Sequence, residues 1–201
     1  MKWWRCGLFD ISNIEPFRTL VLMGGGLDSS YLAVNIAKSN TKEQIIGIHF
    51  DYGQPASDLE REAVTRIGEL IDIEVLYGNF EFSTVTINHE IKGRNLLLIM
   101  AAIPFAIKEN CSQIALGIHK GNNYYDTTEH FLRDAKNLMD GYFGGAVQIS
   151  APLINLVKSE IYELAKNDIP FDLIYSCEIG SKPPCGECPS CRDRRLMDAY
   201  N

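Results

Sequence analysis

Thr19-Leu20-Val21-Leu22-Met23-Gly24-Gly25-Gly26-Leu27-Asp28-Ser29-Ser30 carries the architecture of the whole chain. An apolar run breaks into three glycines and re-enters order as an amphipathic segment, Leu27 to Lys38, which predicts strand, loop and helix. The same unit recurs downstream. Ile45 to Phe50 reads as a second strand, and Ser57 with Glu60 predicts a capping box for a helix through Leu70. Ile73 to Leu76 is a third strand, followed by an irregular stretch, Gly93-Arg94-Asn95 and an apolar helix from Leu96 to Lys108. Gln113 to Ile118 is a fourth strand, and after the polar loop Lys120 to Tyr125 the pair Asp126 and Glu129 predicts a cap for a helix through Met139. Val147 to Ser150 is a fifth strand and Lys158 to Lys166 a short helix, beyond which the pattern dissolves past Pro170. Nearly continuous apolar strands alternating with helices predict an α/β fold with a doubly wound parallel sheet, covered on both faces.

A chain of 201 residues, 46% hydrophobic and 22% charged, buries one substantial core. The expected organisation is an aromatic leader at 1–18, a nucleotide-binding unit at 19–170, and a cysteine-bearing segment at 171–201 packed on the same unit. The formal charge of −7 gives no overall field for a long polyanion, so no nucleic-acid partner is expected. No apolar run of signal-peptide length follows the first residues, and none is long enough to span a bilayer, so the expectation is a cytoplasmic protein without a membrane partner.

In an open α/β sheet, ligands bind beyond the carboxyl ends of the strands, where a strand-to-helix turn offers unpaired amides and a helix dipole. Gly24, Gly25 and Gly26 let the backbone approach a phosphate, and Ser29 and Ser30 add hydroxyls at the helix start. Asp28 would repel phosphate unless it held a cation such as Mg²⁺ or capped the helix. A tight turn alone would equally demand glycines. The lysine of a Walker A loop is missing, and the Gly-x-Gly-x-x-Gly spacing is not met.

Of six cysteines, Cys6 and Cys111 stand alone, and Cys111 reads as a small core residue. Cys177, Cys185, Cys188 and Cys191 crowd near the end with the Cys-x-x-Cys spacing of a tetrahedral metal site. Zn²⁺ is the first reading and an iron–sulfur cluster the alternative. Four thiolates leave no open position for water, so the site is structural. Gly180, Pro183, Pro184, Gly186 and Pro189 are expected to supply turns and exclude a regular helix through it. Lys182, Arg192, Arg194 and Arg195 flank the ligands, either to offset thiolate charge or as a nucleic-acid ribbon.

The glycine loop resembles the Ser-Gly-Gly-x-Asp-Ser loop of the PP-loop ATP pyrophosphatases, departing at Gly24. From Thr19 to Ala199 the chain resembles the QueC, or 7-cyano-7-deazaguanine synthase, family. The matching stretches are Gly25 to Ser29, Phe50 to Gln54, Gly93 to Leu97, Pro152-Leu153 with Lys158, and Cys177 with Cys185 to Cys191. The resemblance implies an adenine-nucleotide-hydrolase-like fold, a homodimer, ATP with Mg²⁺, structural Zn²⁺ and 7-carboxy-7-deazaguanine as substrate. In that family the substrate carboxylate attacks the α-phosphate of ATP, a nitrogen nucleophile opens the acyl adenylate to an amide, and a second adenylation dehydrates the amide to a nitrile. Implied roles are ATP binding by Leu22, Met23, Gly24, Gly25, Gly26, Leu27, Asp28, Ser29, Ser30 and His49, and catalysis by Asp28, Arg94 and Lys158. Tyr52, Gln54, Arg94, Asn95 and Asp126 are implied to bind the substrate. Plainer readings stand beside these: Lys158 as a solvated helix start, Arg94 as a surface ion-pair partner, Tyr52-Gly53-Gln54 as a turn, and Asp126 as a helix cap.

Pro55-Ala56 stands where the family has Arg-His, and the leader carries Trp3, Trp4 and Phe9, which are expected to pack or dock. QueC-like proteins of bacterial antiphage defence are similar in fold and are thought to join the deazaguanine to the N-terminal amine of a partner protein. The acceptor expected here is therefore ammonia or such an amine. A tRNA-modifying PP-loop enzyme and a degenerate nucleotide-binding module are the competing readings.

Overall fold

The apolar runs become the strands β1 (Glu15–Leu22), β2 (Ile45–Asp51), β3 (Glu74–Asn79), β4 (Cys111–Ala115) and β5 (Gln148–Ser150) in a computed structural model of the chain that describes residues 15–80, 91–121 and 124–198. They form one sheet of order β3-β2-β1-β4-β5, every pair parallel. The connecting helices are α1 (Leu27–Ala37), α2 (Ser57–Ile71), α3 (Arg94–Lys108), α4 (Glu129–Phe143), α5 (Lys158–Ala165) and α6 (Pro189–Asp198). Trp3, Trp4, Cys6 and Phe9 of the leader, and most of the irregular stretch before Gly93, lie outside the described residues.

Because side chains alternate along a strand, β1 serves both faces of the sheet. Leu20 and Leu22 join Ile46, Ile48 and Phe50 under α3 and α4, against Ile99, Ile103, Phe131 and Met139. Val21 and the following Met23 join Ala115 beneath α1, α2 and α5, against Leu32, Val64, Ile67 and Ile161. Cys111 is fully buried in the first of these layers, as expected of a small core residue. Strand order reverses between β1 and β4, which opens a crevice at their carboxyl ends. Gly117, just past β4, fits tightly there: a Cβ on it would come within 2.9 Å of the Ser29 nitrogen.

Several helix ends differ from the expectation. Ser57 is the first residue of α2 rather than its cap; the cap position is Ala56, without a side-chain bond, and Glu60 accepts from Gln54 instead. Thr128, not Asp126, caps α4, its Oγ1 accepting from the Phe131 nitrogen at 3.1 Å. Asp126 caps a different helix, α3, by accepting from the Asn95 nitrogen at 3.0 Å. α4 continues to Phe143, where Gly144 at φ 58° ends it. A regular helix does enter the cysteine site: Pro189 opens α6, with Cys191 in its first turn. Proline suits the first helical position, where no amide hydrogen bond is lost.

Candidate active site and metal centre

The turn between β1 and α1 is held from three sides. Ser29 Oγ accepts from the Gly24 nitrogen at 3.0 Å, so one expected hydroxyl already braces the loop. Gly25 has φ +74°, and a Cβ on it would lie 2.7 Å from the Glu60 carbonyl oxygen on α2. The Tyr175 nitrogen, from the cysteine-bearing tail, donates to the Gly25 oxygen at 2.9 Å. Gly26 caps α1 without any side-chain bond, which leaves first-turn amides and the helix dipole directed at the crevice. Gly25→Ala is expected to cost about 1–3 kcal/mol of stability from left-handed backbone strain alone, measured by denaturant unfolding.

Asp28 stands at the start of α1, with Oδ1 buried and without a hydrogen-bond partner among the described residues. Its Oδ2 lies 3.6 Å from His119 Nε2. Burial raises the Asp28 pKa, while His119 and Lys158 pull the other way. A carboxylate with an orphaned oxygen beside a phosphate-sized turn suits Mg²⁺, which binds through one or two carboxylates plus phosphates. His119 escaped the sequence reading because no motif marks it; its position just beyond β4 at the strand switch is its only signal.

Around this turn opens a cavity of about 470 Å³, lined by Gly24, Gly26, Leu27 and Asp28 together with Tyr52, Gln54, Arg94, Asn95, Asp126 and Lys158. A second cavity of about 290 Å³ adjoins it and reaches Leu22, Met23, Ser29, His49 and His119. His49 is buried, its Nδ1 2.9 Å from the Met23 carbonyl oxygen and its Nε2 without a partner among the described residues. Gly25 and Ser30 line neither space: Gly25 faces α2, and Ser30 is fully buried in α1.

The cavity wall is a network rather than a set of separate side chains. Gln54 Oε1 accepts from the Tyr52 nitrogen at 2.8 Å, and Gln54 Nε2 donates to Glu60 Oε2 at 2.8 Å. Arg94 Nη1 reaches the Tyr52 hydroxyl at 3.5 Å, and the Tyr52 ring stacks on Phe80. Burial raises the pKa of both Tyr52 and Glu60. Asn95 and Asp126 bind each other twice, through Asn95 N to Oδ2 and Asn95 Nδ2 to the Asp126 carbonyl at 2.9 Å. Lys158 is no free solvated residue: its Nζ lies 2.9 Å from Asp193 Oδ2 on α6. The sequence marked Glu60 only as half of a capping box and did not single out Asp193.

The four sulfurs of Cys177, Cys185, Cys188 and Cys191 lie within 4.8 Å of one another, and Cys185 and Cys191 are 3.9 Å apart. Zinc–sulfur bonds of about 2.3 Å in a tetrahedron require sulfur separations of about 3.8 Å. The Cys185 nitrogen donates to Cys177 Sγ, and the Glu187 and Cys188 nitrogens donate to Cys185 Sγ, at 3.3–3.4 Å. Such donors stabilise thiolates, so the cluster is consistent with one zinc ion.

This tail does more than end the chain. Gly180 packs so closely on the Tyr52–Pro55 turn that a Cβ would lie 2.1 Å from the Pro55 carbonyl oxygen. Ala56 is buried with Tyr175, Cys177, Cys188 and Cys191. Ser176, Glu178, Ser190 and Asp193 then form one side of the larger cavity. The Pro55-Ala56 pair therefore meets the tail, a contact between segments some 120 positions apart that no local pattern announces.

A family model described as "Queuosine biosynthesis protein QueC" matches residues 18–88 and 79–200. The chain is 31% identical over 212 residues to a 7-cyano-7-deazaguanine synthase of Prochlorococcus marinus (strain MIT 9301), an alignment covering 90% of this chain and 93% of the relative. It is 30% identical over 203 residues to the 7-cyano-7-deazaguanine synthase of Campylobacter jejuni subsp. jejuni serotype O:6, covering 87% and 90%. Among solved structures, NMN synthetase from Francisella tularensis is similar in fold, with a TM-score of 0.53, 18% identity and coverage of 83% of this chain and 68% of that one.

Proposed function

This chain belongs to the QueC family, and from that membership and the cavity we propose that it is an ATP-dependent carbon–nitrogen ligase acting on the carboxylate of 7-carboxy-7-deazaguanine. The observation that carries the reading is a convergence: the glycine turn, Arg94, Lys158 and the Tyr52–Gln54 turn, far apart in sequence, all border one cavity at the strand switch.

On this reading the amides at the start of α1 hold the ATP phosphates, and Leu22, Met23 and His49 border the space for the adenine. Mg²⁺ held with Asp28 would offset phosphate charge. Lys158 and Arg94 stabilise negative charge as the α–β bond breaks. The flat heterocycle lies against Tyr52, with Gln54, Asn95 and Asp126 offering hydrogen bonds. A carboxylate is a poor electrophile until its oxygen becomes a good leaving group, and adenylation at the cost of one α–β cleavage achieves this. Zn²⁺ on the four cysteines is structural, the assembly a homodimer, and the compartment the cytoplasm. No helix among the described residues is long and apolar enough to cross a membrane.

The acceptor is a second question, and one feature bears on it. Pro55 offers the cavity an uncharged wall where the family places a basic residue, which favours an amine larger than ammonia, such as a protein N-terminus. Pyrophosphate–ATP exchange that depends on 7-carboxy-7-deazaguanine tests the adenylation; its absence would overturn the reading. Nitrile detected by mass spectrometry after adding ammonium would assign ammonia as acceptor, whereas exchange without nitrile supports protein conjugation.

A further inference from the structure

Resting on that reading of the reaction, we propose that Glu60 is the general base of the amide-forming half: its carboxylate holds the acceptor amine as an ammonium ion and takes the proton that frees it to attack.

Position is the first reason. Glu60 lies in the first turn of α2, and its own carbonyl is the atom that a Cβ on Gly25 would strike, so the residue is anchored against the phosphate turn. The residue lines both cavities. Orientation is the second. Because Gln54 Oε1 accepts from the Tyr52 nitrogen, its Nε2 must face the acceptors Phe50 O, at 3.1 Å, and Glu60 Oε2. One carboxylate oxygen is thereby pinned.

Elimination is the third. The other carboxylates bordering the larger cavity have work already: Asp126 accepts from Asn95, Glu178 from the Ser190 nitrogen and hydroxyl, Asp193 from Lys158, and Asp28 sits by His119 at the phosphate turn. Among the described residues Glu60 has no ion-pair partner, only one amide donor. A half-buried carboxylate so placed is short of positive charge, and an ammonium ion supplies it. The groups facing it are His49 and Asp51 from β2, Tyr52, and Arg94 from α3; burial outweighs the lowering by Gln54, His49 and Arg94, and its pKa is raised, which makes it a stronger base.

The step balances as follows. Glu60 takes one proton from R–NH₃⁺, and the free amine attacks the acyl carbon. The C–N bond forms, the C–O bond to AMP breaks with its electron pair leaving on AMP, and the nitrogen's second surplus proton goes to the AMP phosphate.

The test compares the full-length wild type with Glu60→Gln, using ATP, 7-carboxy-7-deazaguanine and three nucleophiles: ammonium, glycinamide, and hydroxylamine, which is largely unprotonated at neutral pH. Amide formation with the two basic amines should fall about 100-fold in the variant and recover as pH rises, while hydroxamate formation and pyrophosphate exchange fall by less than about threefold. Loss of exchange and hydroxamate together with amide would overturn the proposal by making Glu60 a substrate-binding residue. Undiminished amide formation would overturn it directly. A wild type that uses neither basic amine overturns it as well, since no proton is then taken at this site. Absence of exchange in the wild type is a separate result that removes the underlying reaction.

Discussion

Cys188→Ala is expected to lower substrate-dependent pyrophosphate exchange by about 100-fold or more, although Cys188 touches neither nucleotide nor substrate on the proposed reading. The reason lies in what the tail supports. Four-thiolate zinc binding is folding free energy for the segment it organises, so losing one ligand releases the tail as well as the ion. Tyr175 then no longer holds the Gly25 carbonyl, Gly180 no longer packs on Pro55, and the wall formed by Ser176, Glu178 and Asp193 is lost. Misplacement of a phosphate-binding turn by about 1 Å suffices for a loss of that size. Metal analysis should find about one zinc per chain in the wild type and a strongly reduced content in the variant. The sheet should persist by far-ultraviolet circular dichroism, since its two apolar layers do not depend on the cysteines. Full exchange activity in a zinc-free, folded variant would refute this account.

Lys158→Ala should reduce the turnover number of adenylation about 100- to 1,000-fold with a much smaller change in KM, the pattern of an interaction realised mainly in the transition state. Lys158 opens α5 at the rim of the larger cavity, and Asp193 from α6 holds its ammonium at 2.9 Å, restricting a long side chain that would otherwise have many rotamers. Asp193→Asn supplies the control. It keeps the lysine charge but loosens its placement, so it should lower turnover by far less than removal of the lysine. Steady-state kinetics of pyrophosphate exchange over a range of ATP concentrations distinguishes the two. Equal effects of both substitutions would assign the pair to holding α5 and α6 together.

How much of this was legible in the sequence depended on the range of the interaction involved. Thr19 to Met23 and Ile45 to Phe50 are unbroken apolar runs because both faces of their sheet are covered, and such runs announce buried parallel strands directly. Cys185, Cys188 and Cys191 are similarly legible, since ligand spacing is a local property. Helix caps were less so. Asp126 and Thr128 both offer acceptor oxygens within three positions, and the choice between them was made by α3, whose first turn needed Asp126 more closely than α4 did. Glu60 resembled half of a capping box, and only the folded Tyr52–Gln54 turn shows that its carboxylate is held elsewhere. His119 and Asp193 carry no pattern at all; each becomes meaningful through a partner, Asp28 or Lys158, more than 30 positions away.

The hydrogen bond from Tyr175 to Gly25 also orders events in time. The glycine turn precedes Tyr175 by some 150 positions, so it leaves the ribosome well before its brace, the four cysteines and α6. A nascent chain can build its sheet and still lack a braced glycine turn until the segment with Tyr175 and the four cysteines emerges. On the proposed reading, competence for adenylation is set by residues that follow α5, and a stop codon between α5 and Tyr175 would leave the sheet formed but the glycine turn unbraced.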